Sequence, residues 1–172
     1  MHSLTALATL LLAFPSTILT QTVPCSGSVT NSGNRKVAIV IDSSGSNSFT
    51  DPTDLRIAAG KSIVASLAST DRVAVIDFDD YATVISPLGP PSSASFASID
   101  SIGGTYIAGG VETAITELTK TASDPTSSVS GIIVLTDGED YNVADLVTQI
   151  DDAATKGIRV SFGFLNPDST GT

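Results

Sequence analysis

Four short runs of the chain, residues 37–41, 73–76, 132–135 and 158–162, are rich in Val and Ile and almost continuously apolar. Runs of this length without polar alternation predict strands covered on both faces. Between them the apolar spacing becomes helical. Leu55, Ala59, Ile63 and Leu67 recur every four residues behind a Thr53/Asp54 cap signal. Ile107, Val111, Ala114, Ile115 and Leu118 form a second stripe, and Val143, Leu146, Val147 and Ile150 a third. This alternation predicts an α/β fold, a doubly wound and mostly parallel sheet. Residues 81–86 follow the second run too soon for a crossover helix. They are expected to form one antiparallel edge strand.

The apolar run from Ala6 to Phe14 has a different meaning. It is too short to span a bilayer and is followed by Pro15-Ser16-Thr17. Residues 1–20 read as a secretory signal peptide cleaved between Thr20 and Pro24, with a buried N-terminal helix as the competing reading. Residues 21–35, rich in Ser, Gly and Asn, then form a linker to a domain covering 36–172. Secretion would place the chain outside the cell, where the lone Cys25 has no internal disulfide partner.

The 172 residues suit one domain, and 41% hydrophobic content suffices for a core. Eight Lys plus Arg against eighteen Asp plus Glu leave a formal charge of −10. Such a surface argues against nucleic acid and against stable membrane insertion or docking. The single His, His2, lies within the expected signal peptide. A Ser-His-Asp triad, a Cys-His pair and a His- or Cys-ligated zinc site are therefore excluded from the mature chain. Any metal would be a hard cation held by oxygen.

Three of the expected strands finish in an acid: Asp42, Asp77 and Asp137. In open α/β sheets, ligands bind outside the carboxyl ends of the strands. Asp42-Ser43-Ser44-Gly45-Ser46 places oxygen side chains at alternate positions, where they can converge on one point. One carboxylate and two hydroxyls make a site of low charge suited to Mg²⁺ or Ca²⁺. Gly103-Gly104-Thr105 precedes a helix and can supply a further hydroxyl from a separate loop.

Together these residues resemble a von Willebrand factor type A domain with its metal-ion-dependent adhesion site. The strand and motif read KVAIVIDSSGSNS, the threonine loop IGGTYIAGGVETAI, and the final element GIIVLTDGED. DRVAVIDFDDYATVISPL is similar to the family's second and third strands, so the resemblance covers about residues 35–165. It implies a Rossmann-like fold and a cation, Mg²⁺ with Mn²⁺ or Ca²⁺ as alternatives. By this resemblance Ser44, Ser46 and Thr105 would hold the cation directly. Asp42 and Asp137 would act directly or through water. An acidic side chain from an extracellular protein ligand would fill the remaining position. The family's domain normally continues with another helix, an edge strand and a final helix, so the domain is expected to be incomplete at its C-terminus.

Two other readings compete with a metal-dependent binding module that is not an enzyme. Val75-Ile76-Asp77-Phe78-Asp79 resembles the nucleophile motif of haloacid-dehalogenase-type phosphatases. There Asp77 would attack phosphorus, Asp79 would act as acid and base, and Mg²⁺ would bridge. An exposed acidic turn explains the same residues. The other is a structural interaction module that uses no metal. Gly60-Lys61-Ser62 lacks the earlier glycine of a phosphate-binding loop and falls within a helical stripe.

Overall fold

The computed structural model describes residues 34–120 and 130–165. The expected signal peptide, Cys25 and most of the linker lie outside the described residues. Among these residues a five-stranded sheet forms in the order β3-β2-β1-β4-β5. Its strands are β1 (Lys36–Asp42), β2 (Arg72–Phe78), β3 (Ala82–Gly89), β4 (Ser130–Thr136) and β5 (Arg159–Phe164). β1 lies at the centre, parallel to β2 and β4; β5 is parallel to β4, and β3 is the antiparallel edge. Each strand falls on its expected apolar run, and the strands extend past it into flanking polar residues. The mostly parallel, doubly wound sheet predicted from the alternation is the one observed.

Helices cover both faces. α1 (Asn47–Thr50) and α2 (Leu55–Ser66) follow β1, α3 (Ile107–Thr119) precedes β4, and α4 (Val143–Thr155) joins β4 to β5. One half of the core gathers Val40, Ile76, Phe78, Val111, Leu118 and Val134 beneath α3. The other gathers Ile39, Ile41, Val73 and Val75, packed with Ile63 and Phe96. Gly110 lets α3 approach closely. A Cβ there would lie 2.7 Å from Val40 Cγ1.

The α3 stripe is buried as expected, but the other two differ. In α2 the buried residues are Arg56, Ile57 and Gly60, while Leu55 is exposed. The predicted stripe is thus rotated by the need to bury Arg56. The expected cap also moves. Asp54 has left-handed backbone (φ 57°) and makes no side-chain cap, whereas Asp51 accepts from Leu55 N at 2.7 Å and Arg56 N at 2.9 Å. In α4, Val143 and Val147 are exposed because this helix covers the sheet near its edge.

β1 is flanked on one side by β2, reached through α2, and on the other by β4, reached through α3. The strand order therefore reverses at β1, and its carboxyl end is the switch point where ligands bind in such sheets.

Candidate functional site

Asp42 is the last residue of β1 and is fully buried. Its Oδ1 accepts hydrogen bonds from Ser44 N at 2.8 Å and Asn47 Nδ2 at 3.0 Å. Its Oδ2 accepts from Thr136 Oγ1 at the end of β4. With these donors on it, the carboxylate folds the following loop back over the strand end. Ser44 is buried and Ser46 is exposed, so the motif runs from the sheet to the surface.

The hydroxyls converge as the alternate spacing predicts. Ser44 Oγ and Ser46 Oγ are 2.9 Å apart, and Ser46 Oγ donates to Asp137 Oδ1 at 3.0 Å. Thr50 Oγ1 donates to the other Asp137 oxygen. Asp137 is half-buried, immediately after β4. A Cβ on its neighbour Gly138 would lie 3.8 Å from Thr105 Oγ1, which places the third loop beside the second. The structure thus brings Asp42, Ser44, Ser46 and Asp137 into one linked group, with Thr105 alongside.

Three backbone bonds hold the loops together. Gly45 N donates to Gly103 O at 3.1 Å, Ile102 N to Ser43 O at 2.8 Å, and Tyr141 N to Thr105 O at 3.2 Å. Asp140, buried within the β4–α4 loop, accepts from Ala108 N at 2.6 Å and so caps α3. Tyr106 and Tyr141 stack at 5.1 Å with an interplanar angle of 21°, adding a side-chain clamp between the same two loops. Burial pushes the Tyr106 hydroxyl above its usual range, with nearby Asp145 acting in the same direction.

The acids of the β2–β3 turn do something other than the phosphatase-like reading expects. Asp79 O accepts from Tyr106 N at 2.9 Å, and Asp80 Oδ1 accepts from Gly104 N at 3.1 Å. Both brace the Thr105 loop. Gly103 permits this: its φ is +80°, and a Cβ would come within 3.0 Å of Asp79. Asp77 lies one residue before the end of β2, and its Oδ1 is buried without a hydrogen-bond partner. Burial raises its pKa. Among the described residues no three His, Cys, Asp or Glu side chains are placed to hold a metal together. The converging group instead carries two carboxylates and three hydroxyls.

Several contributing residues escaped sequence reasoning: Thr136, Asn47 and Thr50 around the hydroxyls, and Arg56 beneath them. Arg56 Nε donates to Asp42 O at 2.6 Å and Nη2 to Asp100 O at 2.9 Å. The signal for Arg56 was an arginine within an otherwise apolar helical turn.

The family model for the von Willebrand factor type A domain matches residues 37–139, more than half of the chain. The chain belongs to the von Willebrand factor type A family. Domains of this family are generally binding and adhesion modules rather than enzymes. No curated protein matches the sequence. Among solved structures, a von Willebrand factor type A protein from Catenulispora acidiphila superposes with a TM-score of 0.64 at 22% identity, over 77% of this chain and 33% of that one. Proximal thread matrix protein 1 from the mussel byssus gives 0.63 at 22% identity, over 77% of this chain and 37% of that one. The von Willebrand factor domain of a type V pili tip protein from Porphyromonas gingivalis gives 0.51 at 22% identity, over 61% and 38%. This chain therefore spans about a third of the length of these structures, and at such identities the likeness establishes the type A fold. Among the described residues no helix is long and apolar enough to cross a membrane.

Proposed function

We propose that this type A domain is a secreted module that binds a divalent cation and, through it, a carboxylate of an extracellular protein ligand. Ser44, Ser46 and Thr105 are the direct ligands, with Asp137 and Asp42 acting directly or through water. The cation is Mg²⁺, with Mn²⁺ or Ca²⁺ as substitutes. The observation that carries this is the chain of oxygens Ser44 Oγ, Ser46 Oγ and Asp137 Oδ1, spaced 2.9 and 3.0 Å. Neighbouring ligands of an octahedral ion with bonds of about 2.1 Å lie about 3 Å apart, so these oxygens match one edge after another. Asp42 suits an indirect role, because its oxygens already accept three hydrogen bonds.

With two carboxylates nearby, the cation keeps enough positive character to attract a third from a partner. The extracellular assignment draws support from the apolar run at Ala6–Phe14 and from the byssus and pilus proteins that share the fold. Among the described residues no contact favours the phosphohydrolase reading of Asp77 and Asp79.

Calorimetric titration of Mg²⁺, Mn²⁺ and Ca²⁺ into metal-stripped protein tests the site. Saturable one-site binding that disappears in Ser44→Ala/Ser46→Ala is expected. Binding that survives in the double variant would move the site to Asp77 and Asp79. No binding by a protein with a folded circular dichroism spectrum would leave a metal-independent interaction module.

A further inference from the structure

Charge is sharply divided between the two ends of the sheet. The chain has eight Lys and Arg residues, all within the described segments. Arg35, Lys36, Arg72 and Arg159 lie at the amino ends of strands, and Lys120 and Lys156 close α3 and α4 as these return to that end. Lys61 lies midway along α2. Arg56 is the one cation at the carboxyl end, and it is buried and committed to Asp51 and Asp54. Around the candidate site stand Asp79, Asp80, Asp100, Glu139 and Asp145, none of them paired with a Lys or Arg among the described residues. A bound divalent cation would offset the charges of Asp42 and Asp137 and leave these five uncompensated.

The same end exposes large apolar side chains. Phe49 is 86% exposed, Tyr81 81%, Tyr141 65% and Ile102 61%. Each belongs to a loop or short helix already tied to the site. Phe49 precedes Thr50, which donates to Asp137, and Ile102 donates to Ser43 O. Tyr141 donates to Thr105 O, and Tyr81 O accepts from Asp79 N. Exposed aromatic residues beside uncompensated charge are a feature of binding faces.

We propose that this end of the domain is a docking face for a basic protein surface, in which a single carboxylate is set among Lys and Arg with apolar side chains nearby. The carboxylate rests on the cation reading above. The basic surround and the apolar contacts follow from the charge division and from the four exposed side chains. An acidic or neutral partner bearing the same carboxylate would approach against the field of the rim. A basic one is drawn in and oriented by it.

A random peptide library displayed on phage, selected on the full chain in Mg²⁺ at low ionic strength, tests this. The expected result is clones with one Asp or Glu flanked by Lys or Arg and an apolar residue, the basic residues enriched several-fold over the unselected library. Selection on Asp100→Asn/Glu139→Gln, whose changes leave every hydrogen bond described above intact, should reduce that enrichment. Basic clones that persist in excess EDTA would support the docking face and overturn the cation reading. Metal-dependent clones with no basic enrichment, or an enrichment unchanged in the double variant, would overturn the docking face and spare the cation. So would the absence of any selected sequence. Salt-sensitive self-association in sedimentation, lost in the double variant, would assign the face to a second copy of the chain and overturn the proposal.

Discussion

Arg56 and Asp51 form an ion pair in which neither side chain reaches water: Nη1 lies 3.0 Å from Oδ2, with side-chain exposures of 0% and 1%. Asp51 also caps α2, and Arg56 reaches the backbone of Asp42 and Asp100, so one pair joins α2, β1 and the loop before α3. Removing one partner leaves an uncompensated buried charge. Arg56→Ala is expected to cost about 4 kcal/mol in urea unfolding. Arg56→Lys recovers less than half of that, because an ammonium cannot reproduce the guanidinium fork. A loss below about 1 kcal/mol would show that the pair adds little to the fold.

Asp42 and Asp137 should separate in their effects. Asp42→Ala strands Ser44 N, leaves Asn47 Nδ2 and Thr136 Oγ1 with only their longer bonds to Ser44 and Gly138 O, and should cost about 3 kcal/mol without any cation present. Asp137→Ala should leave metal-free stability within about 0.5 kcal/mol while abolishing cation binding, because its donor Ser46 is exposed to water and its donor Thr50 Oγ1 also reaches Ser46 O. Thermal unfolding with and without Mg²⁺ reads both. A large metal-free loss in Asp137→Ala would contradict its placement.

Stability in acid should depend on Asp71. The Arg35 guanidinium lowers its pKa most, helped by the Arg35 and Ala68 amides. A depressed folded pKa contributes stability that is present above the unfolded carboxylate value and is lost as pH falls through the folded one. Asp71→Asn should cost about 2 kcal/mol at neutral pH and flatten the acid limb of the stability profile. Asp77 acts in the opposite sense. Burial raises its pKa, so its contribution is present below the unfolded value and is lost as pH rises through the folded one. Urea unfolding across pH tests both, and an Asp71→Asn acid limb as steep as wild type would refute the first.

The clamp between the Thr105 and Asp137 loops predicts an effect at a distance from the cation. Asp140→Ala removes the carboxylate that caps Ala108 N and should cost about 1 kcal/mol. It should also weaken Mg²⁺ binding by about tenfold. Tyr141→Ser, which keeps the backbone bond to Thr105 but loses the ring stack, should give a smaller loss. Equal cation affinity in all three proteins would mean that Thr105 is held without the clamp.

The sheet and the converging hydroxyls were legible because both follow from local rules. Apolar runs of Val and Ile report strands buried on two faces, and alternate oxygen residues after a strand can face one point. Arg56 was not legible in that way. Its burial depends on Asp51 and on the carbonyls of Asp42 and Asp100, which no local spacing reveals. The shift of the α2 cap from Asp54 to Asp51 has the same origin. Asp79 and Asp80 were visible as an acidic turn. Their bracing role depends on Gly103 and Gly104 meeting them across the fold. Val143 and Val147 show the converse: helical spacing marks an apolar stripe, and the position of α4 near the sheet edge leaves part of it uncovered.

The hydrogen bond between Asp42 and Thr136 closes a loop of 94 residues and joins the central strand to the fourth. Contacts so distant in sequence form late, after local structure has reduced the entropy of closing the loop. A chain emerging from the ribosome carries Asp42, Ser44 and Ser46 long before β4 exists to bring Asp137 beside them. On the proposed cation reading, a divalent cation would be captured only once the last central strand has docked, and would report that docking rather than nucleate the fold.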